Sequence, residues 1–394
     1  MIDSTELAGV RVLEPPPRPG AIRSVYIHAP FCTRRCFYCD FAVKVSPPDC
    51  AAWLKALAGE LSALEQEGTF LLDRTLETLY IGGGTPSLLG ANAMTGVRNL
   101  IGDERLGHFD LEWTAEANPE NFTKEVATGW RFAGVNRLSL GIQSFHAPAL
   151  RWMGRLHGPD GARLAVDVAR AAGFENLSVD LIFGLPAHLE REWERDLDET
   201  LLLEPDHISL YGLTAEAATP LGRAVAEGRE DLPGEAGYEQ EYLSAVARLA
   251  EAGYEAYEVS NFALPGFQSR HNSVYWSGEP YIGLGNGAHS YRHPVRRWNS
   301  RDWDAYRTRA AGAGLPLEDS EELDATKVRL ERIWLGLRTR RGIALQGLPS
   351  SARDRMRRWE EKGLAVANEN VARLTPKGWL VMDRLTVELD SELG

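Results

Sequence analysis

Ser24-Val25-Tyr26-Ile27-His28-Ala29-Pro30-Phe31-Cys32-Thr33-Arg34-Arg35-Cys36-Phe37-Tyr38-Cys39 decides how the rest of the chain is read. Its first half, 24–28, is a short apolar and aromatic run of the kind that forms a β-strand. Its second half places three thiols at spacings of four and three in the loop leaving that strand. Such crowding is unlike the spread framework that disulfides need, and it reads as a metal site. Thiolates in this arrangement suit an iron-sulfur cluster, and a 4Fe-4S cubane held by three of them keeps one iron open to an outside ligand. A structural zinc ion wants four closed ligands. Cys50, the last of the four cysteines, or His28 would have to be the fourth, and neither stands at a ligand spacing.

Outward from this stretch, further strand-like runs occupy 79–82, 111–117, 135–142, 177–183 and 207–213, and helical periodicity fills 51–66, 121–132, 161–172 and 190–203. Gly134 and Gly173 stand where helices stop. Strand and helix in alternation imply parallel strands with right-handed crossovers. Six units favour an α/β fold of the partial TIM-type (β/α)6 barrel. Helical patterns at 236–252 and 325–339 flank a region, 254–303, dense in glycine and aromatics. Beyond about residue 317 the chain turns rich in Arg and Leu, with a helix expected at 351–362, a hairpin at 364–374 and a last helix at 376–385. The expected organisation is a flexible Pro-rich tail (1–20), a barrel with its extension (21–315) and a small α+β C-terminal domain (316–394).

The 394 residues are 44% hydrophobic and 25% charged, ordinary globular usage. A net charge of -13 argues against an extended basic surface for nucleic acid. No transmembrane segment and no signal-peptide core stand out, so a cytoplasmic location is expected.

Chemistry-bearing residues gather at strand ends, where barrel enzymes place their functional side chains. Ile81-Gly82-Gly83-Gly84-Thr85-Pro86-Ser87 follows the second strand; a glycine triplet lets backbone approach a ligand and leaves N–H and C=O groups to bind it. Glu116 ends the third strand, Gln143 ends the fourth, and Asp180 is an acid inside an apolar fifth strand, costly unless paired or bound to a ligand. The plainer alternative for each is a structural hydrogen bond to a neighbouring loop.

The CxxxCxxC spacing after the first strand resembles the radical S-adenosylmethionine (SAM) superfamily. The resemblance implies that Cys32, Cys36 and Cys39 hold a 4Fe-4S cluster, that the open iron is chelated by the methionine moiety of SAM, and that an electron donor serves the cluster. It implies Tyr26 near the cofactor, Gly83, Gly84 and Thr85 at the methionyl amino group, and Glu116, Gln143 and Asp180 on the ribose and adenine side. Arg155, in Gly154-Arg155-Leu156-His157, would face the cofactor carboxylate. Cys50 is expected to be dispensable.

From residue 22 to Leu374-Thr375-Pro376-Lys377-Gly378-Trp379 the chain resembles oxygen-independent coproporphyrinogen III oxidase and its relatives. The oxidase carries a fourth cysteine two residues after the third, where this chain has Phe41, and the long N-terminal arm of the oxidase is expected to be missing. Arg270-His271-Asn272-Ser273-Val274-Tyr275-Trp276 instead resembles the HNxxYW motif of the haem chaperone branch. That resemblance implies haem near His271, with its imidazole as axial ligand and Tyr275 and Trp276 packing on the porphyrin; a core histidine beside aromatics is the plainer alternative. His289 and His293 are the next histidines along. Arg292, Arg296, Arg297 and Arg301 form a local basic cluster suited to haem propionates or to peripheral contact with anionic lipid, or simply to solvent. The expected function is transfer of haem from a donor to a recipient haem protein. Turnover of a conventional substrate is left open. The alternatives are oxidative decarboxylation of coproporphyrinogen III and, in third place, another radical enzyme such as a methyltransferase.

Overall fold

A computed structural model describes residues 9–14, 20–312 and 314–394. Among them one sheet takes nine strands: β1 Ser24–Ala29, β2 Thr78–Gly83, β3 Glu112–Ala117, β4 Arg137–Gln143, β5 Asn176–Phe183, β6 His207–Gly212, β7 Glu255–Glu258, β8 Asn261–Ala263 and β9 Ile282–Leu284. β1 to β6 lie side by side in chain order, each pair parallel. This is the expected six-stranded partial barrel. β9 adds a parallel strand beside β1, and β8 and β7 continue antiparallel beyond β6.

Parallel strands buried on both faces ordinarily read as unbroken apolar runs. Here they alternate. Val25, Ile27, Leu79, Ile81, Leu138, Leu140, Ile208 and Leu210 form one buried apolar face. The opposite face is polar, and the register lines it up as Tyr26, Tyr80, Thr114 and Arg137 in one row and Glu116, Ser139, Ser178 and His207 in another. These side chains bond across the strands, Tyr80 to Glu116 at 2.8 Å, Ser139 to Asp180 at 3.1 Å and Ser178 to His207 at 2.8 Å. The barrel interior is thus a polar lumen, suited to a charged guest.

Helices α1 Cys50–Glu67, α2 Ala93–Ile101, α3 Lys124–Ala133, α4 Pro159–Ala171, α5 Trp193–Leu202 and α6 Glu235–Glu251 follow β1 to β6 in turn. Asp49 caps α1 by accepting from the Ala52 N–H, and Gly134 ends α3 in the left-handed conformation with φ 116°. α2 escaped the sequence reading. It is short and interrupted by Gly96, whose bare Cα makes room for the Leu54 side chain.

Between β8 and β9 lies helix α7 Arg270–Ser277. After β9 an antiparallel sheet forms from β10 His289–Arg292, β11 Val295–Asn299 and β12 Leu317–Glu322. It straddles residue 316, where the sequence places a domain boundary, and is followed by α8, Ala325–Arg338. The C-terminal unit is not walled off: Ile333, Leu337, Trp359 and Leu385 belong to the same continuous buried cluster as Val25 and Trp113. The expected hairpin is present as Ala365–Ala367 against Val371–Leu374, and the last long helix is Met382–Asp390. The expected flexible tail needs correction where it is described. Val10 exchanges backbone hydrogen bonds with Gly342 and Ala344 at 2.8 and 3.0 Å, and Val12 is buried; 1–8 and 15–19 lie outside the described residues. No helix among the described residues is long and apolar enough to cross a membrane.

Candidate functional site

The loop that carries the thiols is pinned at both ends. Phe31 packs edge-on against Trp303, 5.3 Å between rings, and the Lys44 N–H donates to the Pro30 carbonyl at 2.8 Å. Between these anchors Phe37 donates to Met153 and accepts from Leu221, which ties the loop to the segments after β4 and β6. Cys32, Cys36 and Cys39 line one pocket of about 500 Å³ together with Gly83, Gly84, Thr85, Glu116, Gln143, Arg155 and Asp180. Cys50 starts α1, outside that lining.

Each sulfur in the triad meets one polar partner: Thr85 Oγ1 at 3.5 Å from Cys32, Arg155 Nη1 at 3.9 Å from Cys36, and the Phe41 N–H at 3.4 Å from Cys39. Burial pushes the Cys32 thiol up to about 11 and raises that of Cys39; bound metal deprotonates such thiols outright. No three His, Cys, Asp or Glu side chains among the described residues converge on a single-ion site. A cubane places each of three thiolates on a different iron, so this donor set fits a cluster.

The glycine run works differently from the expectation. Its N–H groups are already taken, Gly83 by Glu116 Oε2 at 3.0 Å, Gly84 by Ala29 O at 2.8 Å and Thr85 by Phe31 O at 2.9 Å. What remains for a ligand is carbonyl oxygen and space. The space is already tight: a Cβ at Gly82 would stand 2.8 Å from the Glu116 carboxylate, and one at Gly83, φ 108°, would run into the His28 ring.

Glu116 is half-buried at the edge of both cavities, and desolvation of its carboxyl first, then the Asp180 charge, push it up to about 7. Burial likewise raises Asp180. Gln143 ends β4 at φ 71°, a left-handed conformation that non-glycine residues hold mainly where surroundings over-determine it. Arg155 gives Nη2 to Asn118 Oδ1 at 2.7 Å and to Gly141 O at 2.6 Å, while its buried Nε has no partner among the described residues. Arg155 lines the pocket, and its guanidinium charge fits a ligand carboxylate. Asn118, which also donates to Thr85 at 3.2 Å, was missed by the sequence reading; its place two residues after Glu116 was the available signal.

Tyr26 is not brought into this pocket. It lines an adjoining cleft of about 620 Å³, bonded to His28 Nδ1 at 3.0 Å. The two cavities share Gly83, Glu116, Asp40 and Phe41. Tyr275 and Trp276, on α7, line the cleft too. His271 does not. It is 1% exposed, with Nδ1 bonded to Thr78 Oγ1 and Nε2 to Tyr275 Oη, both at 2.8 Å. Burial pushes it down to about 3. The expected axial ligand is therefore corrected: neither ring nitrogen is available to an iron, and the core-histidine alternative describes the residue. The basic cluster is corrected as well. Arg297 is buried over Phe70 and pairs with Glu67, Arg292 is bonded to the Thr69 carbonyl, Arg296 pairs with Glu331 and Arg301 with Asp40. Each is thus paired or bonded, and Arg296 and Arg301 line the cleft.

Residues 26–200 match the family model of the radical SAM superfamily. Over 374 residues the chain is 37% identical to heme chaperone HemW of Mycobacterium tuberculosis, covering 93% of this chain and 94% of that one. This chain belongs to the HemW family of radical SAM proteins. The HemW of Bacillus subtilis is 34% identical over 380 residues, covering 91% of this chain and 97% of its own. Coproporphyrinogen III oxidase (HemN) of Escherichia coli shares the fold, with a TM-score of 0.77 and 21% identity over 96% of this chain and 92% of that one. Membership implies a 4Fe-4S cluster and SAM for this HemW-family chain.

Proposed function

We propose that the protein is a haem chaperone that takes haem from a donor and delivers it to a recipient haem protein, carrying a 4Fe-4S cluster and SAM beside the haem. The observation that carries this reading is kinship with HemW proteins across nearly the whole chain. In this reading Cys32, Cys36 and Cys39 hold the cluster, which supplies an open iron for SAM and an electron. The carbonyls of the Gly83 and Gly84 stretch accept from the methionyl amino group and Arg155 meets its carboxylate. Glu116, Gln143 and Asp180 offer acceptors to the ribose and adenine. Tyr275 and Trp276 supply flat faces for a macrocycle, and Gly83 and Glu116, which line both cavities, set haem next to SAM.

Decarboxylation of coproporphyrinogen III is not part of the reading. Phe41, 60% exposed, stands where the oxidase has its fourth cysteine, and it offers no thiolate. Anaerobic reconstitution followed by parallel haem titration and coproporphyrinogen turnover tests the choice. Saturable haem binding with no decarboxylated product is expected; product above the no-enzyme control, with SAM and a reductant present, overturns it.

A further inference from the structure

If His271 is sealed in the core, a haem in the cleft needs another ligand. His28, which lines the cleft, gives its nitrogens to Tyr26 Oη and the Ala42 carbonyl, each at 3.0 Å. His293 lies outside the cleft lining. His289 differs from all of these. It lines the cleft, is exposed, and stacks one ring face on Trp298, 5.6 Å between centroids and 22° between planes. Among the described residues no hydrogen bond occupies its ring nitrogens.

The backbone beneath His289 is held firmly. β10 pairs it with Trp298 of β11. Gly283 of β9 lies so close to the His289 carbonyl that any side chain there would collide, and the Gly283 N–H donates to Ser290 Oγ at 3.0 Å. Partial desolvation of the ring in the cleft, then the Arg296 and Arg301 charges, lower the pKa of His289, which favours the neutral imidazole that binds metals. The same cleft is lined by Tyr281, Tyr291, Trp276 and Trp334. Arg296 and Arg301 are each paired with one carboxylate, yet a guanidinium has five N–H donors and keeps some to spare. The cleft, about 620 Å³, falls within the ~300–1,000 Å³ of small-molecule sites.

We propose that this cleft holds an iron porphyrin with His289 as an axial ligand and Arg296 and Arg301 facing its propionates, and that His271 serves as a buried support for Tyr275. The inference rests on the haem reading above and names the ligand set of that site. It accounts for an imidazole left free at the mouth of an aromatic cleft with two cations on its wall.

The test is a hemin titration of the cluster-reconstituted wild type, His289→Ala and His271→Gln, with iron-free protoporphyrin IX titrated in parallel. Iron and sulfide content and melting curves confirm that all three are folded and loaded. His289→Ala is expected to lower haem affinity at least tenfold and shift the Soret band, and added imidazole to restore the band. Iron-free protoporphyrin, which has no axial bond to lose, should bind wild type and His289→Ala alike. His271→Gln should keep the wild-type Soret position. A His289→Ala protein with wild-type Soret band and affinity overturns the ligand assignment alone, as does a folded, loaded His271→Gln with a displaced band. A wild type that binds no haem removes the haem reading with it.

Discussion

Glu116 sets folding against binding at one carboxyl. Its value of about 7 in the folded chain lies above the ordinary 4.5, because burial and the Asp180 charge penalise the anion. Between those values the folded chain keeps a proton that the unfolded chain has released. The contribution to stability is full below about 4.5 and is lost as the pH rises through about 7. The apoprotein should therefore melt lower at pH 8 than at pH 5, and Glu116→Gln should remove part of that fall in scanning calorimetry; an unchanged fall contradicts the assignment. The same substitution should weaken SAM by roughly tenfold or more, since a hydrogen bond to a charged group contributes ~1.5–3 kcal/mol. At the thiols, Cys36→Ala should abolish the cluster and Cys50→Ala should leave it intact, as iron and sulfide analysis would show. The triad was legible because three thiols so close have few structural uses. His271 was misread because a motif names residue types, while its role depends on Thr78 and Tyr275, partners 193 and 4 positions away.

Among the elements, β2 and the turn that follows it leave the least room for change. A Cβ on Gly84 would stand 2.8 Å from the Ala29 carbonyl oxygen and 2.9 Å from that of Phe31, backbone atoms that cannot swing aside. Gly84→Ala should cost ~1–3 kcal/mol, the usual range for overpacking. Gly234→Ala, into open space, should stay within ~0.5 kcal/mol. Equal melting temperatures for the two variants would contradict the packing argument. β1 to β6 were legible as short runs between helical periods, while the polar lumen emerged only from the register that lines up their alternate residues. α7 and β9 to β11 were not legible. RHNSVYWS has no apolar stripe to signal a helix, and the strands that follow it, IGL, HSYR and VRRWN, are short, the last two poor in apolar residues.

At the scale of the whole molecule, the C-terminal unit is a wall of the cleft as well as part of the core. Arg338 of α8 pairs with Glu258 of β7 at 2.7 Å, and its guanidinium lies over the Trp276 ring at 4.1 Å. Glu258 is fully buried, so Arg338→Ala strands a charge in the interior and should cost ~3–5 kcal/mol. Urea unfolding measures this; a loss below ~1 kcal/mol would mean that the contact is incidental. The fused core was hidden in the sequence because the change of composition near residue 317 marks a new surface, while the buried residues on either side join one cluster. Two adjoining cavities that have Asp40, Phe41, Gly83 and Glu116 in common lead to the most direct test. Hemin is titrated into the cluster-loaded protein saturated with radiolabelled SAM, under anaerobic conditions, while bound label and the Soret band are followed together. Haem should bind to saturation with the label retained. Displacement of SAM in step with haem uptake, or no saturable haem binding, would contradict the account.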